Sequence, residues 1–221
     1  MMIKKTFTLL KKDIMLLEAY SLLAILILLA LPIFLNYSIK GIMDPIYLLF
    51  LSLDFCAFLV FGQIYLMESK YMGMSYLVSC PFTRVQMIAA RYILLLFICG
   101  LGAGCYKLLE FLNPLHLFSG PPLSIPQIVI AVSIVLIVYD VLIPILNNCA
   151  YEKVRVVHAI LSVIIPVWGV ILVRAILQYF HISLTIKEVS GVGIIILLLF
   201  DIILTGVSIG ITKSLWEKKE F

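Results

Sequence analysis

The sequence predicts an all-α membrane protein: six transmembrane helices, preceded by an N-terminal interfacial amphipathic helix, with a cytoplasmic helix between the second and third spans. Three observations point there. First, hydrophobic residues make up 64% of the 221 residues and charged residues 13%, and the mean hydropathy is +1.20. A soluble domain carries roughly 45–50% apolar and about 25% charged residues. Second, six apolar runs each approach the about 20 residues needed to cross a hydrocarbon core of about 30 Å. Third, Lys and Arg are distributed unequally between alternate loops. Little chain is left for a soluble module, so one membrane domain is expected over residues 1–221.

Residues 1–18 (MMIKKTFTLLKKDIMLLE) place Ile3, Phe7, Leu10, Ile14 and Leu17 at spacings of three and four, with Lys4, Lys5, Lys11, Lys12 and Asp13 largely elsewhere. This pattern suits a helix lying in the membrane interface, its basic residues among anionic headgroups. The spans follow at 19–37, 45–67, 86–106, 126–147, 157–178 and 191–212. The first ends in Leu31-Pro32-Ile33-Phe34 rather than a small-residue cleavage site, so a retained span is expected. Pro32, Pro144 and Pro166 fall within or at the ends of spans, where neighbouring helices satisfy the freed carbonyls.

Orientation follows from the loop charges. One side would hold Lys4, Lys5, Lys11, Lys12, Lys70, Arg84, Arg91, Lys153, Arg155, Lys213, Lys218 and Lys219; the other only Lys40, Lys107 and Lys187. The positive-inside bias puts both termini in the cytoplasm, as an even number of spans requires.

Four charges fall inside predicted spans: Asp54, Asp140, Asp201 and Arg174. Each costs about 2.5–3.5 kcal/mol on insertion scales at a helix centre, so each is expected to face the bundle interior, a partner or a wet cavity. They serve either a proton, cation or cationic-cargo pathway, or interhelical pairing such as Asp201 with Arg174. One charge per helix without a repeated motif favours pairing. Asn147 and Asn148 read as helix end-caps, Trp216 as an interfacial aromatic anchor and Trp168 as packing. Gly206-x-x-x-Gly210 has the spacing of a close helix contact.

Catalytic and metal chemistry find no support. Cys56, Cys80, Cys99, Cys105 and Cys149 form no C-x-x-C and read as packing residues. His116, His158 and His181 are scattered, without H-E-x-x-H or G-x-S-x-G. No G-x-x-x-x-G-K-[ST] occurs, so the chain carries no nucleotide site of its own. No catalytic residue, metal or nucleic-acid partner is expected.

The segment joining the second and third spans, MESKYMGMSYLVSCPFTRVQMIAARY (67–92), is longer than a turn requires. Glu68 opens it, where a helix N-terminus favours negative charge. Tyr71, Met74 and Val78 recur on one face with Leu77 beside them, and Cys80-Pro81 ends the pattern. Thr83, with Gln86 three residues on, is placed to cap the next helix. A short cytoplasmic helix over 68–80 is predicted.

Here the sequence resembles the ABC-2 type permeases, the membrane subunits of one class of ATP-driven exporter. In that family an acidic residue follows the second span, then come a short helix, the pattern L-x-S-x-P-x-[ST]-R and a helix opening with apolar and basic residues. The matching positions are Glu68, Leu77, Ser79, Pro81, Thr83 and Arg84, followed by Arg91-Tyr92; LLKKDIMLL (9–17) is similar to the family's interfacial helix. The resemblance implies that 68–80 is a coupling helix, gripped by a separate ABC ATPase subunit through Glu68, Tyr71, Met74, Leu77, Val78, Pro81 and Arg84. It also implies ATP and Mg on that partner, none on this chain, and a second permease copy to complete the pore. The expected location is the plasma membrane of a bacterium. In size the chain is similar to short Gram-positive permeases that export amphipathic peptides, such as the phenol-soluble modulin exporter. Two other functions fit the residues less well: a scaffold or immunity-type protein that binds a peptide or partner without transport, and a proton-coupled carrier using the intramembrane aspartates.

Overall fold

The computed structural model describes residues 2–17, 19–38, 45–70, 82–112, 122–148, 156, 159–160 and 191–217. Among them are six helices: α1 (Met2–Leu17), α2 (Ala19–Ser38), α3 (Pro45–Lys70), α4 (Arg84–Phe111), α5 (Ile125–Asn148) and α6 (Gly191–Glu217). The expected short helix beyond Lys70 lies outside the described residues. So do nearly all of the expected fifth span, Arg174 included, and Trp168.

Helices α2 to α6 are each long and apolar enough to cross a bilayer. Helix α3 is central and packs on α1, α2, α4 and α5, while α6 packs on α5 and α4. Leu49, Leu53, Ala57, Phe61 and Ile64 recur at spacings of three and four along α3 and are fully buried. They meet Ile88, Leu94 and Leu95 of α4 and Val135, Tyr139 and Leu142 of α5 in one continuous core. Phe61 and Tyr139 pack with ring centroids 5.2 Å apart across the α3–α5 contact. A methyl group added at Gly102 would run into Leu53 and Leu28, so the helices approach closely there because Gly102 has no side chain. Gly206 and Gly210, which share the contact spacing, meet nothing within 4 Å.

Pro32 and Pro144 sit inside α2 and α5, which continue through them. Cys56 and Cys99 are buried free thiols, and Cys105 is half-buried.

The surface shows what solvent the fold expects. Val192, Ile195, Ile196, Leu199, Phe200, Ile202 and Ile203 of α6 are exposed, as are Leu22, Leu26 and Phe34 of α2. The buried residues of α6 are Asp201, Ser208, Thr212 and Trp216. A helix on a soluble core turns its apolar side inward. Helix α6 does the reverse, which is favourable only when the surroundings are hydrocarbon.

Helix α1 forms over Met2–Leu17, and its apolar row divides between the core, which takes Leu10 and Leu17, and the surface. Leu9, Asp13 and Leu17, four residues apart, are buried, whereas Phe7 and Ile14 of the predicted apolar row are exposed. Asp13 turns inward toward Lys12 and the cation of Arg91, which offset part of the cost of burying its carboxylate.

At the opposite end of α4 from Arg84, a clasp joins α4 to α5. Lys107 Nζ donates to Glu110 Oε2 at 2.6 Å and to the Leu123 carbonyl at 2.5 Å, and the Leu123 amide donates to Glu110 Oε1 at 2.6 Å. The Ser124 amide donates to Gln127 Oε1 at 2.8 Å, satisfying a free donor at the start of α5.

Candidate functional site

Helix α3 runs through Lys70, so Glu68 lies in its last turn and does not open the helix predicted at 68–80. A helix C-terminus disfavours negative charge. What holds Glu68 there is tertiary. Its Oε2 accepts from Arg91 Nη2 of α4, and its Oε1 accepts from Lys12 Nζ of α1 at 2.8 Å. Glu68 and Arg91 are each 4% exposed at the side chain, so their charges are removed from water together.

The node extends outward from this pair. Lys12 Nζ also pairs with Asp13 Oδ1 at 2.9 Å. Burial raises the Asp13 carboxyl above the usual carboxylate range, while Arg91 and Lys12 pull it back. The Arg91 guanidinium lies over the Tyr65 ring, 4.2 Å from its centroid. The Tyr65 hydroxyl donates to Asn147 Oδ1 of α5 at 3.2 Å, and the Asn147 carbonyl accepts from Trp216 Nε1 of α6 at 3.3 Å. Five helices, α1, α3, α4, α5 and α6, thus meet through one chain of polar contacts. Asn147 is a tertiary bridge rather than only an end-cap. Trp216, expected as an interfacial anchor, is 2% exposed, because its indole N–H needs the acceptor that α5 supplies.

The segment on which Tyr71, Met74, Leu77, Val78 and Pro81 fall lies outside the described residues, immediately after this node. Its far side is fixed by a capping box. The Gln86 amide donates to Thr83 Oγ1 at 3.3 Å, and the Thr83 amide donates to Gln86 Oε1 at 2.9 Å, as the sequence predicts. Arg84, half-buried, is the first residue of α4.

The intramembrane aspartates separate into a pair and a single. Asp140 of α5 accepts from Thr205 of α6, one turn from the buried Asp201, so the two carboxylates share the α5–α6 contact. Asp54 is buried on α3, and no charged group among the described residues acts on it. Around the pair, Thr205 Oγ1 donates to Asp140 Oδ2 at 3.2 Å, Ser208 Oγ donates to the Asp140 carbonyl at 2.6 Å, and the Tyr92 hydroxyl donates to Ser208 Oγ at 2.6 Å. Residues 201, 205, 208 and 212 fall on one helical face, a spacing legible in the sequence but not used there. Lys12, Tyr65 and Asn147 were named for neither the coupling nor the intramembrane site, and Arg91 entered only as a loop charge and as part of the family pattern. Their only sequence signal is polarity near helix ends, which loop-flanking charges share.

Neither a curated protein nor a solved structure matches the chain. A family described as ABC-2 family transporter protein matches residues 8–217, almost the whole bundle and all of the polar node. This chain therefore belongs to the ABC-2 family: it is a multi-pass membrane subunit of an ABC transporter, not itself catalytic, whose family implies an ABC ATPase partner.

Proposed function

We propose that the chain is an exporter permease that forms half of a translocation pathway for an amphipathic or hydrophobic cargo, an amphipathic peptide above all. Both termini are cytoplasmic in this reading. A second permease copy, identical or related, completes the pore, and the partner ATPase carries ATP and Mg. The coupling element is the part of 68–80 beyond α3, gripped through Tyr71, Met74, Leu77, Val78, Pro81 and Arg84 by helix-in-groove recognition, while the buried Glu68 anchors its root instead of docking.

The observation that supports it best is the node around Glu68. A lever transmits motion only if its root does not yield, and the segment that would be gripped leaves α3 two residues after a buried carboxylate held by two cations from two other helices. On its far side it re-enters α4 through the Thr83–Gln86 box. Closure of the ATPases would then move α1, α3 and α4 as one body, a rocking of packed helices. The apolar walls suit the cargo: a groove of about 570 Å³ between α2 and α4 is lined by Leu29, Leu96, Phe97, Gly100, Gly104 and Leu108.

The test is co-purification with an ABC ATPase encoded in the same cell. Leu77→Ala is expected to leave the permease folded and to abolish its effect on ATP hydrolysis. Full stimulation of the ATPase by Leu77→Ala and Met74→Ala variants would overturn the coupling assignment. Unchanged cell tolerance to amphipathic peptides on deletion would remove the cargo assignment while leaving coupling intact.

A further inference from the structure

We propose that Asp140 and Asp201 form a site for one small cation, a proton or an alkali-metal ion, enclosed between α4, α5 and α6. The site involves neither the 68–80 segment nor the ATPase.

The argument is a count of donors and acceptors. Four hydroxyls line the region: Tyr92 from α4, and Thr205, Ser208 and Thr212 from α6. Each has its proton committed. Tyr92 donates to Ser208 Oγ, Ser208 to the Asp140 carbonyl, Thr205 to Asp140 Oδ2, and Thr212 to the Ser208 carbonyl at 2.8 Å. Three carboxylate oxygens remain, Asp140 Oδ1 and both of Asp201, with no hydrogen-bond donor among the described residues. Asp140 is 3% exposed and Asp201 4%, so water does not supply the missing donor.

No Lys, Arg or His among the described residues pairs with either carboxylate. The titratable groups that the three helices bring together here are Tyr92 of α4, Asp140 of α5 and Asp201 of α6, and none is a cation at neutral pH. Asp201 lies one turn before Thr205, whose hydroxyl holds Asp140, and two ionised carboxylates buried at one helix contact with no counter-charge among the described residues are strongly unfavourable. One added positive charge removes the repulsion and satisfies an orphaned acceptor at once. The lining of carboxylate, hydroxyl and carbonyl oxygens suits a hard cation or a proton rather than a soft metal. The burial of every lining side chain but Thr205 suits a small occupant rather than the ammonium group of a cargo.

The full chain in dodecyl maltoside, which has no ester carbonyls, tests this by infrared spectroscopy and by melting temperature. If the occupant is a proton, the wild type shows a carboxylic-acid C=O band at neutral pH that Asp201→Asn or Asp140→Asn removes and Asp54→Asn does not. If it is an alkali ion, the melting temperature rises when NaCl or KCl replaces choline chloride at constant ionic strength, and Asp201→Asn loses the rise. Should the Asn variants fail to fold, Asp201→Glu is read instead; it keeps the charge and is expected to shift the band or retain the ion response. The proposal is overturned if the wild type shows neither signal, or if only Asp54→Asn removes the band. It is equally overturned if Asp201→Arg combined with Arg174→Asp restores the melting temperature that either change alone lowers, since Asp201 would then be neutralised by the chain's own arginine.

Discussion

Glu68 is bound by two cations from different helices, Arg91 of α4 on one carboxylate oxygen and Lys12 of α1 on the other. The two contacts differ in weight. Arg91 is as buried as Glu68, whereas the Lys12 side chain is 32% exposed. Removing one member of a buried pair strands the other charge, which costs about 3–5 kcal/mol. Glu68→Gln is therefore expected to lower the melting temperature severely. Lys12→Ala, screened by solvent, is expected to cost about 1 kcal/mol or less. Arg91→Lys is expected to be nearer to Glu68→Gln than to neutral, since an ammonium cannot both lie flat on Tyr65 and reach Glu68. Thermal unfolding of the three variants orders them.

Asp13, although paired with Lys12, gives a pH signature of opposite sign to a carboxylate whose cationic partners outweigh its burial. Burial raises its folded-state pKa, so the folded protein holds the proton more tightly than the unfolded chain does. Its contribution to stability is present at low pH and is lost as pH rises through the folded-state value. Asp13→Asn is expected to match or exceed the wild type at neutral pH, with the difference shrinking as pH falls. Melting temperatures across a pH series for both proteins check the sign.

Thr83 caps α4 through its side chain, and Gln86 returns the bond. Thr83→Ala is expected to cost about 1 kcal/mol. Thr83→Ser is expected to be nearly neutral. Because the cap supplies acceptors to the free amides at the start of α4, hydrogen exchange of the first turn of α4 is expected to rise in the alanine variant.

At Gly102 a methyl group would collide with Leu53 and Leu28, while Gly100, Gly104, Gly206 and Gly210 have open space. Gly102→Ala is expected to destabilise by about 1–3 kcal/mol through overpacking. Alanine at Gly206 or Gly210 is expected to be neutral in the isolated chain. A loss of stability at those two sites in the assembled transporter alone would locate a contact with another subunit.

The helices were legible in the sequence because lipid imposes a length and an apolarity that few other contexts demand. The Thr83–Gln86 cap was legible because it is local. The node was not. Glu68 was read from its neighbours in sequence as the start of a helix, whereas its place is set by Lys12 and Arg91, far away in the chain. Trp216 illustrates the same limit, since an indole near a span end suits the interface until a carbonyl such as that of Asn147 stands beside it. Which residues of α1 turn toward the bundle was not legible in the sequence for a related reason. Apolar periodicity marks the side that leaves water, and for a helix beside a membrane that side can face lipid rather than protein.

The clasp between Lys107, Glu110 and Leu123 offers a practical handle. Its described bonds join residues 107, 110 and 123. Because those bonds tie the end of α4 to the residue before α5, antibody access in intact cells to an epitope placed between residues 112 and 122 reports which face of the membrane both helix ends occupy.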